Sequence, residues 1–388
     1  MGLILHKLHL KFSVNTNSIT KNLVGINFSV DELITSYLHL HGNNVYMIGI
    51  CGMGGLGKTT LARVVYDMCF NHFECSSFIA NIREAYEKNG LLPLQKQLLG
   101  QILEERNINI WNVYDGVNMI KNRLRQKKVL LVLDDVNQLD QLENLVGEHE
   151  WFGSGSWIII TTRDKHLLVQ HGVDHDKIYC PKTLKDQDAL KLFCSKAFKK
   201  EKPEDGFVDI SNSVVNYVKG LPLALIVLGS YLYGRTIDVW KSALKSLKKI
   251  PKKEIVDILK VSYDGLEDMV KEIFLDIACF FRGEMKYRVM EILENCGFDA
   301  AIGISVLMDK SLITIEVGQL QMHDLLQEMG REIIRRESGK RSRLWLCEDL
   351  LHVLTNNTVR MSKLEFFFFQ QTRMIRCNNI ISFNILVI

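Results

Sequence analysis

The fold of this chain is decided by the stretch VYMIGICGMGGLGKTT at residues 45–60. The apolar run at 45–50 predicts a buried strand, and residues 60–66 predict a helix directly after the glycine cluster. Between them, Gly52-x-x-x-x-Gly57-Lys58-Thr59 matches the P-loop pattern in the strand–loop–helix context that confirms such a motif. The stretch therefore predicts a loop that binds the phosphates of a nucleotide.

The residue types of this loop suit phosphate binding. Its glycines let backbone N–H groups turn towards phosphate oxygens, and the helix N-terminus adds positive potential. Lys58 is predicted to reach the β- and γ-phosphates, and the Thr59 hydroxyl to ligate Mg²⁺. The alternative, a glycine-rich turn that merely precedes a helix, is disfavoured because Lys58 and Thr59 are both in place. The residues assigned to nucleotide binding in this motif are Gly52, Gly54, Gly55, Gly57, Lys58, Thr59 and Thr60.

Composition narrows the class of protein. The 388 residues are 47% hydrophobic and 24% charged, which is typical of globular proteins and allows two to three domains. A net charge of +3 is too small to indicate nucleic acid or a membrane as the main partner. The nine cysteines form no C-x-x-C pair, which predicts reduced thiols and a cytoplasmic location, with the nucleus left open. No apolar run reaches the length of a membrane span.

Two further apolar runs predict strands that end in polar residues. Residues 129–133 precede Asp134 and Asp135, and residues 157–160 lead to Arg163. Open α/β sheets bind ligands at the carboxyl ends of such strands. Asp134 is predicted to hold Mg²⁺, directly or through water, and Asp135 to polarise the attacking water. Arg163 is predicted to pair with a terminal phosphate; the alternative is a surface arginine that begins a helix.

The order of patterns predicts three structural units. Alternating strands and helices predict an α/β P-loop NTPase fold, a parallel sheet flanked by helices. Helical stripes then predict an all-α domain, and helices followed by a β-hairpin predict a winged-helix domain. The predicted divisions are a leader or remnant at 1–20, a P-loop domain at 21–181, a helical domain at 182–251, a winged-helix domain at 252–345 and a C-terminal tail at 346–388.

Two local predictions concern helices. Ser29 is predicted to cap the first helix, with Glu32 completing a capping box. Residues 273–281 are apolar almost throughout and are predicted to form a central helix of the last domain.

Seven motifs in this order resemble the NB-ARC module of plant intracellular immune receptors, of the class that usually carries an N-terminal TIR domain. The resemblance spans residues 23–358, and the TIR class is indicated by the sixth motif together with Asn137. The motifs are GMGGLGKTT (52–60), FIANIRE (78–84), LLVLDDV (130–136), GSWIIITTR (155–163), GLPLAL (220–225), FLDIACFF (274–281) and MHD (322–324).

The resemblance implies a STAND/AAA+-like fold that binds ADP or ATP with Mg²⁺. It implies that Pro222 packs near the adenine, and that His323 reaches the β-phosphate of ADP and holds the winged helix shut, supported by Asp324. Without the resemblance, His323 would be read as a satisfied structural histidine. The segment that begins at Val24 lacks an arginine that some relatives carry, so only a backbone contact to the nucleotide is expected at Val24.

The predicted function is an ADP/ATP switch in plant defence signalling, with at most slow hydrolysis by a weak candidate base, Asp135. Expected partners are a second copy or other immune receptors. No TIR domain fits in the first 20 or so residues and no leucine-rich repeat period follows Thr358, so NADase activity and the usual sensing module are expected to be missing. The alternatives are an active AAA+-type ATPase and a nucleotide-regulated DNA-binding winged helix.

The DNA-binding alternative depends on basic residues that follow the hairpin. Acidic residues interleave with the first half of this set, so a solvated helix face is the preferred interpretation. The basic residues are Arg331, Arg335, Arg336, Lys340, Arg341 and Arg343.

Overall fold

The structure, a computed structural model, describes residues 23–38, 44–105, 107–247 and 253–336. The predicted leader at 1–20 and the predicted tail at 346–388 lie outside these ranges. Within them, no helix has both the length and the apolar character that a membrane crossing requires. All seven cysteines in the described ranges are free thiols.

Five parallel strands form the central sheet, as the sequence predicted. The strand order is β2-β3-β4-β1-β5, so β1, which leads into the P-loop, lies between β4 and β5. The acidic strand β3 pairs with β2 and β4. The strands are β1 (Tyr46–Cys51), β2 (Cys75–Ile79), β3 (Val129–Val136), β4 (Trp157–Thr162) and β5 (Ile178–Tyr179).

Helices cover both faces of the sheet, which explains why its strands are continuous apolar runs. Leu130 and Val132 of β3 pack with the helices of one face, and Leu131 and Leu133 pack with those of the other. The first face carries α1 (Ile26–Ser36) and α2 (Lys58–Cys69). The second carries α3 (Ile82–Asn89), α4 (Leu91–Leu103), α5 (Val113–Leu124), α6 (Leu139–Leu145) and α7 (Lys165–Gln170).

Four helices follow the sheet: α8 (Asp186–Ala197), α9 (Val208–Val218), α10 (Pro222–Leu232) and α11 (Ile237–Leu247). Trp240 of α11 is 1% exposed, and its indole N–H donates to the carbonyl of Leu232 at 3.0 Å. Its ring lies 5.0–5.6 Å from three phenylalanine rings, those of Phe193, Phe198 and Phe207. This aromatic cluster forms the centre of the helical region.

The last region is a winged helix, in agreement with the predicted helices and hairpin. Its elements are α12 (Lys253–Asp264), α13 (Asp268–Asp276), α14 (Lys286–Asn295), α15 (Ala300–Asp309), β6 (Thr314–Glu316), β7 (Gln319–Gln321) and α16 (Asp324–Arg336). β6 and β7 pair antiparallel. The turn between them has Val317 at φ +49° and Gly318 at φ +77°, the left-handed conformation that two-residue hairpin turns favour.

The predicted cap of the first helix is wrong. α1 begins at Ile26, three residues before Ser29, and no side chain caps it. The chain enters the helix from Gly25, whose φ of +73° suits a glycine. Glu32 instead accepts a hydrogen bond from the Tyr179 hydroxyl at 3.0 Å, which joins α1 to β5.

The apolar run at 273–281 is helical but not one regular helix. α13 ends at Asp276, and the chain continues as a single wider π-helical turn, Ile277–Phe281. The side-chain amide of Gln327 in α16 donates to the carbonyl of Ala278 at 2.9 Å. A turn of this kind releases a carbonyl from the regular ladder, so a side chain of a packed helix can bind it.

We predict that Trp240→Ala lowers the free energy of unfolding of the helical region by about 3–5 kcal/mol, because it leaves a cavity among three aromatic rings. Urea denaturation followed by far-ultraviolet circular dichroism measures the change. Trp111→Ala is the matched control, since Trp111 is 85% exposed and its loss should change stability by less than about 0.5 kcal/mol. Equal effects of the two substitutions would contradict the role given to the cluster.

Candidate functional site

The P-loop leaves β1 and enters α2 through two left-handed glycines. Gly55 and Gly57 have φ of +83° and +89°, and α2 begins at Lys58. Lys58 is 8% exposed, and its Nζ donates to the carbonyls of Gly52 at 2.6 Å and Met53 at 2.9 Å. Burial, together with the nearby positive charge of Arg163, lowers the pKa of Lys58 to about 8. The side chain of Lys58 is thus hydrogen-bonded to the backbone of its own loop.

Asp134 joins the P-loop helix to two strands of the sheet. Its carboxylate is fully buried, and Oδ1 accepts hydrogen bonds from the hydroxyls of Thr59 and Thr161, both at 2.7 Å. The Asn81 backbone N–H lies 3.4 Å from Oδ2. A hydroxyl and a carboxylate are oxygen ligands of the kind that Mg²⁺ takes. The structure therefore brings together the two residues, Thr59 and Asp134, that the sequence assigned to a metal.

Asp135 has an unusual backbone conformation and two cationic partners. Its φ is +57°, and its N–H donates to the Thr161 hydroxyl at 2.9 Å. Oδ2 lies 3.0 Å from Nε of Arg83, and Oδ1 lies 3.5 Å from Nε of Arg163. The sequence motif contains Arg83, but sequence reasoning gave it no role.

Arg163 lies between the sheet, the P-loop and the winged-helix region. Its Nη1 donates to the carbonyl of Ile258 in α12 at 2.7 Å. The same Nη1 would lie 2.9 Å from a Cβ placed on Gly54, so no larger residue fits at Gly54 without movement. Burial lowers the pKa of Arg163, and Asp135 opposes this effect. The Arg163 side chain is 19% exposed and has two partners, which is unlike a surface arginine that only begins a helix.

The helical region contacts the P-loop through the start of α10. Pro222 is the first residue of α10 and is half-buried. The next residue, Leu223, donates its N–H to the carbonyl of Gly55 at 3.2 Å, and its Cβ would lie 2.8 Å from a Cβ on Gly55. Leu223 therefore joins the helical region directly to the P-loop, and the predicted place of Pro222 near the adenine stays a prediction.

A cavity of about 810 Å³ lies where the P-loop, the helical region and the winged helix meet. The residues Gly52, Met53, Leu56, Lys219, Arg282 and His323 are among those that line it. Val24 and Pro222 are not in this lining, and a Cβ on Gly25, beside Val24, would lie 2.6 Å from the Leu184 side chain. Lys58, Thr59, Asp134 and Arg163 also lie outside the lining. Gly52 belongs to both the loop and the cavity.

His323 presents a buried hydrogen-bond donor at this cavity. Its Nδ1 accepts from the Leu325 backbone N–H at 3.2 Å, so in the neutral ring the proton resides on Nε2. Nε2 is buried and makes no hydrogen bond of standard geometry among the described residues. Burial lowers the pKa of His323, while Asp324, which pairs with Arg282, and the nearby Lys219 backbone raise it. A buried donor without a partner is costly unless a ligand accepts its hydrogen bond, and a phosphate oxygen would do so.

Three further contacts attach the winged helix to the rest of the chain. Lys310 Nζ lies 2.7 Å from the carboxylate of Asp164, which also caps α7. The Ser311 hydroxyl lies 3.8 Å from the Cys51 thiol at the end of β1. On the helical region, the Tyr217 hydroxyl donates to Glu328 of α16 at 2.6 Å.

Among the basic residues after the hairpin that the structure describes, Arg335 and Arg336 pair within their own helix, whereas Arg331 is half-buried and its Nε has no hydrogen-bond partner there. Arg335 and Arg336 both pair with Glu332, at 3.2 and 2.9 Å. Lys340, Arg341 and Arg343 lie outside the described ranges. The preferred interpretation of this set as a solvated helix face stays a prediction.

One solved structure and two family models are similar to this chain. A Walker-type ATPase of Pyrococcus abyssi matches 80% of this chain and 97% of its own length, with a TM-score of 0.55 and 15% identity. Residues 28–203 match the NB-ARC domain, and residues 267–338 match the winged-helix domain described as disease resistance protein Roq1-like.

Plant resistance proteins are similar along most of the chain. TMV resistance protein N of Nicotiana glutinosa is 45% identical over 89% of this chain, and disease resistance protein RUN1 of Vitis rotundifolia is 47% identical over 86%. The chain spans 30% and 25% of the lengths of these two relatives. With its P-loop, buried acidic strand and winged helix, the chain therefore belongs to the NB-ARC family and carries the nucleotide-binding module of plant disease resistance proteins.

Proposed function

We propose that this chain is an ADP/ATP-binding conformational switch that is closed with ADP and open with ATP. The observation that carries the proposal is the shared cavity. Its walls come from the P-loop at Gly52, the helical region at Lys219 and the winged helix at His323. A ligand that touches all three regions can set their relative position, provided that it binds the two arrangements with different affinity.

In the closed state, the phosphates of ADP bind the P-loop amides, and Nε2 of His323 donates to a β-phosphate oxygen. Nε2 is buried without a hydrogen-bond partner of standard geometry among the described residues, which supports this assignment. Thr59 and Asp134, joined at 2.7 Å, would hold Mg²⁺, which neutralises phosphate charge when it is bound. Lys58 would leave the carbonyls of Gly52 and Met53 to reach the phosphates. Val24 and Pro222 are proposed on the adenine side.

Arg163 is the residue proposed to distinguish ATP from ADP. Its guanidinium is shared between the Ile258 carbonyl and Asp135 in this structure. A γ-phosphate beside the P-loop would offer a bidentate anionic partner, which is a stronger partner than a neutral carbonyl. Movement of Arg163 to that phosphate removes its hydrogen bond to the Ile258 carbonyl of α12.

One phosphate contact is not enough to complete the transition. Shifting an equilibrium from 1:99 to 99:1 requires roughly 10⁴-fold differential affinity, or about 5.5 kcal/mol. The pair Lys310–Asp164 and the Tyr217–Glu328 hydrogen bond must also break when the winged helix moves away. We infer that in the longer relatives other domains contribute to opening.

Defence signalling is proposed for this chain because its relatives are resistance proteins. We propose that it acts in the cytoplasm or nucleus and associates with a second copy or with other receptors. Hydrolysis is proposed to be slow, with Asp135 as its weak base. Robust steady-state turnover of ATP would favour the AAA+-type ATPase instead.

We predict that Lys58→Ala abolishes nucleotide retention, because it removes the cation that pairs with the phosphates. The test is the amount of ADP released when the purified protein is denatured. Lys88→Ala is the matched control, since Lys88 is an exposed lysine on α3 and its removal should leave the ADP content unchanged. A Lys58→Ala protein that still carries one ADP per chain would refute the P-loop assignment.

We predict that His323→Ala raises the rate of ADP release at least about tenfold, since a hydrogen bond to a charged group contributes about 1.5–3 kcal/mol. ATP binding should remain largely intact, because the histidine contact belongs to the closed state. Stopped-flow displacement of a fluorescent ADP measures the release. His175→Ala, at an exposed position, is the control. Equal release rates in the two variants would eliminate the role given to His323.

A further inference from the structure

Asp135 is held by three contacts, two at its carboxylate and one at its backbone N–H. Its carboxylate oxygens each face one guanidinium, with Oδ2 3.0 Å from Arg83 and Oδ1 3.5 Å from Arg163. Its backbone N–H donates to the hydroxyl of Thr161 at 2.9 Å. Arg83 in turn lies 3.9 Å from Glu87 on the same helix.

The backbone conformation of Asp135 indicates that these contacts fix the position of the residue. A residue other than glycine at φ +57° is strained by about 1–3 kcal/mol, and such strain persists only where the surroundings fix it. The side chains of Arg83 and Asp135 are only 24% and 20% exposed, so their ion pair is stronger than one in open solvent. Asp135 is also not among the residues that line the cavity.

This position matters for hydrolysis. In that reaction a water oxygen forms a bond to the γ-phosphorus, and the bond from that phosphorus to the β,γ-bridging oxygen breaks. ADP leaves with the bridging oxygen and its electron pair, while the water proton passes to a base. To act as that base, Asp135 needs a carboxylate that is free to approach the water, and the ion pairs with Arg83 and Arg163 restrain its movement.

We propose that Arg83 is a positioning residue that holds the carboxylate of Asp135 away from the attacking water and so keeps ATP hydrolysis slow. The inference rests on the proposed function, in which Arg163 leaves Asp135 for the γ-phosphate of ATP. Arg83 then remains as the last cation on the carboxylate. Its restraint lengthens the time that the open state keeps its ATP.

The test is single-turnover hydrolysis of radiolabelled ATP bound to the full chain with Mg²⁺. Arg83→Met should accelerate hydrolysis about tenfold, equivalent to a barrier lower by about 1.4 kcal/mol. Arg83→Gln, measured beside it in case methionine disturbs α3, should do the same. Arg83→Lys keeps the positive charge and should stay within about threefold of the wild-type rate.

Two further variants separate this role from a structural one. Glu87→Gln removes the other ion pair of Arg83 without touching Asp135, and it should leave the rate unchanged. Asp135→Asn combined with Arg83→Met should be no faster than Asp135→Asn alone, because the gain acts through the carboxylate. An acceleration that persists in the double variant would overturn the proposal.

ADP content, melting and the rate of hydrolysis together distinguish the positioning role of Arg83 from the proposed switch. Arg83 variants that keep their ADP and melt like the wild type, yet hydrolyse ATP at the wild-type rate or more slowly, overturn the positioning role and leave the switch intact. Wild-type protein that retains no ADP overturns the switch and this inference together.

Discussion

The buried carboxylate of Asp134 is the interaction on which the rest of the site depends. A fully buried charge is stable only when donors or a cation surround it, and here two hydroxyls and a backbone N–H supply the donors. Thr59 comes from the start of α2, and Thr161 from the end of β4. The hydrogen bonds that both hydroxyls donate to this one carboxylate therefore set the distance between the P-loop helix and the carboxyl edge of the sheet.

A second set of contacts extends outward from this edge. Arg163 follows Thr162 at the end of β4 and reaches the Ile258 carbonyl in α12, while Leu223 binds the Gly55 carbonyl from the helical region. Each contact joins a different region to the phosphate-binding loop. The P-loop, the helical region and the winged helix, which together form the cavity wall, are thus joined by a few hydrogen bonds. A switch driven by a ligand requires such an arrangement.

Local patterns predicted much of this structure because they depend on few residues. The apolar runs at 45–50 and 157–160 predicted β1 and β4, and the parallel sheet followed from such runs in alternation with helices. The cap at Ser29 failed because Gly25 offered an earlier start in a left-handed conformation. The run Ile277–Phe281 departs from a regular helix at a π-helical turn, where Gln327, distant in sequence, binds the carbonyl of Ala278. The ion pair of Arg83 with Asp135 could not be predicted, because an exposed helix arginine and an ion-paired one look alike in sequence.

By itself the sequence determined that a phosphate-binding loop precedes a buried acidic strand, because glycine conformation and strand burial are local properties of residue type. It also determined, through the resemblance, that His323 and Pro222 are candidates. Only the tertiary structure decided what each polar group faces. Arg163 binds a backbone carbonyl, which no side-chain pattern encodes. Nε2 of His323 makes no hydrogen bond of standard geometry among the described residues, because packing between three regions, not the residue itself, removes it from water.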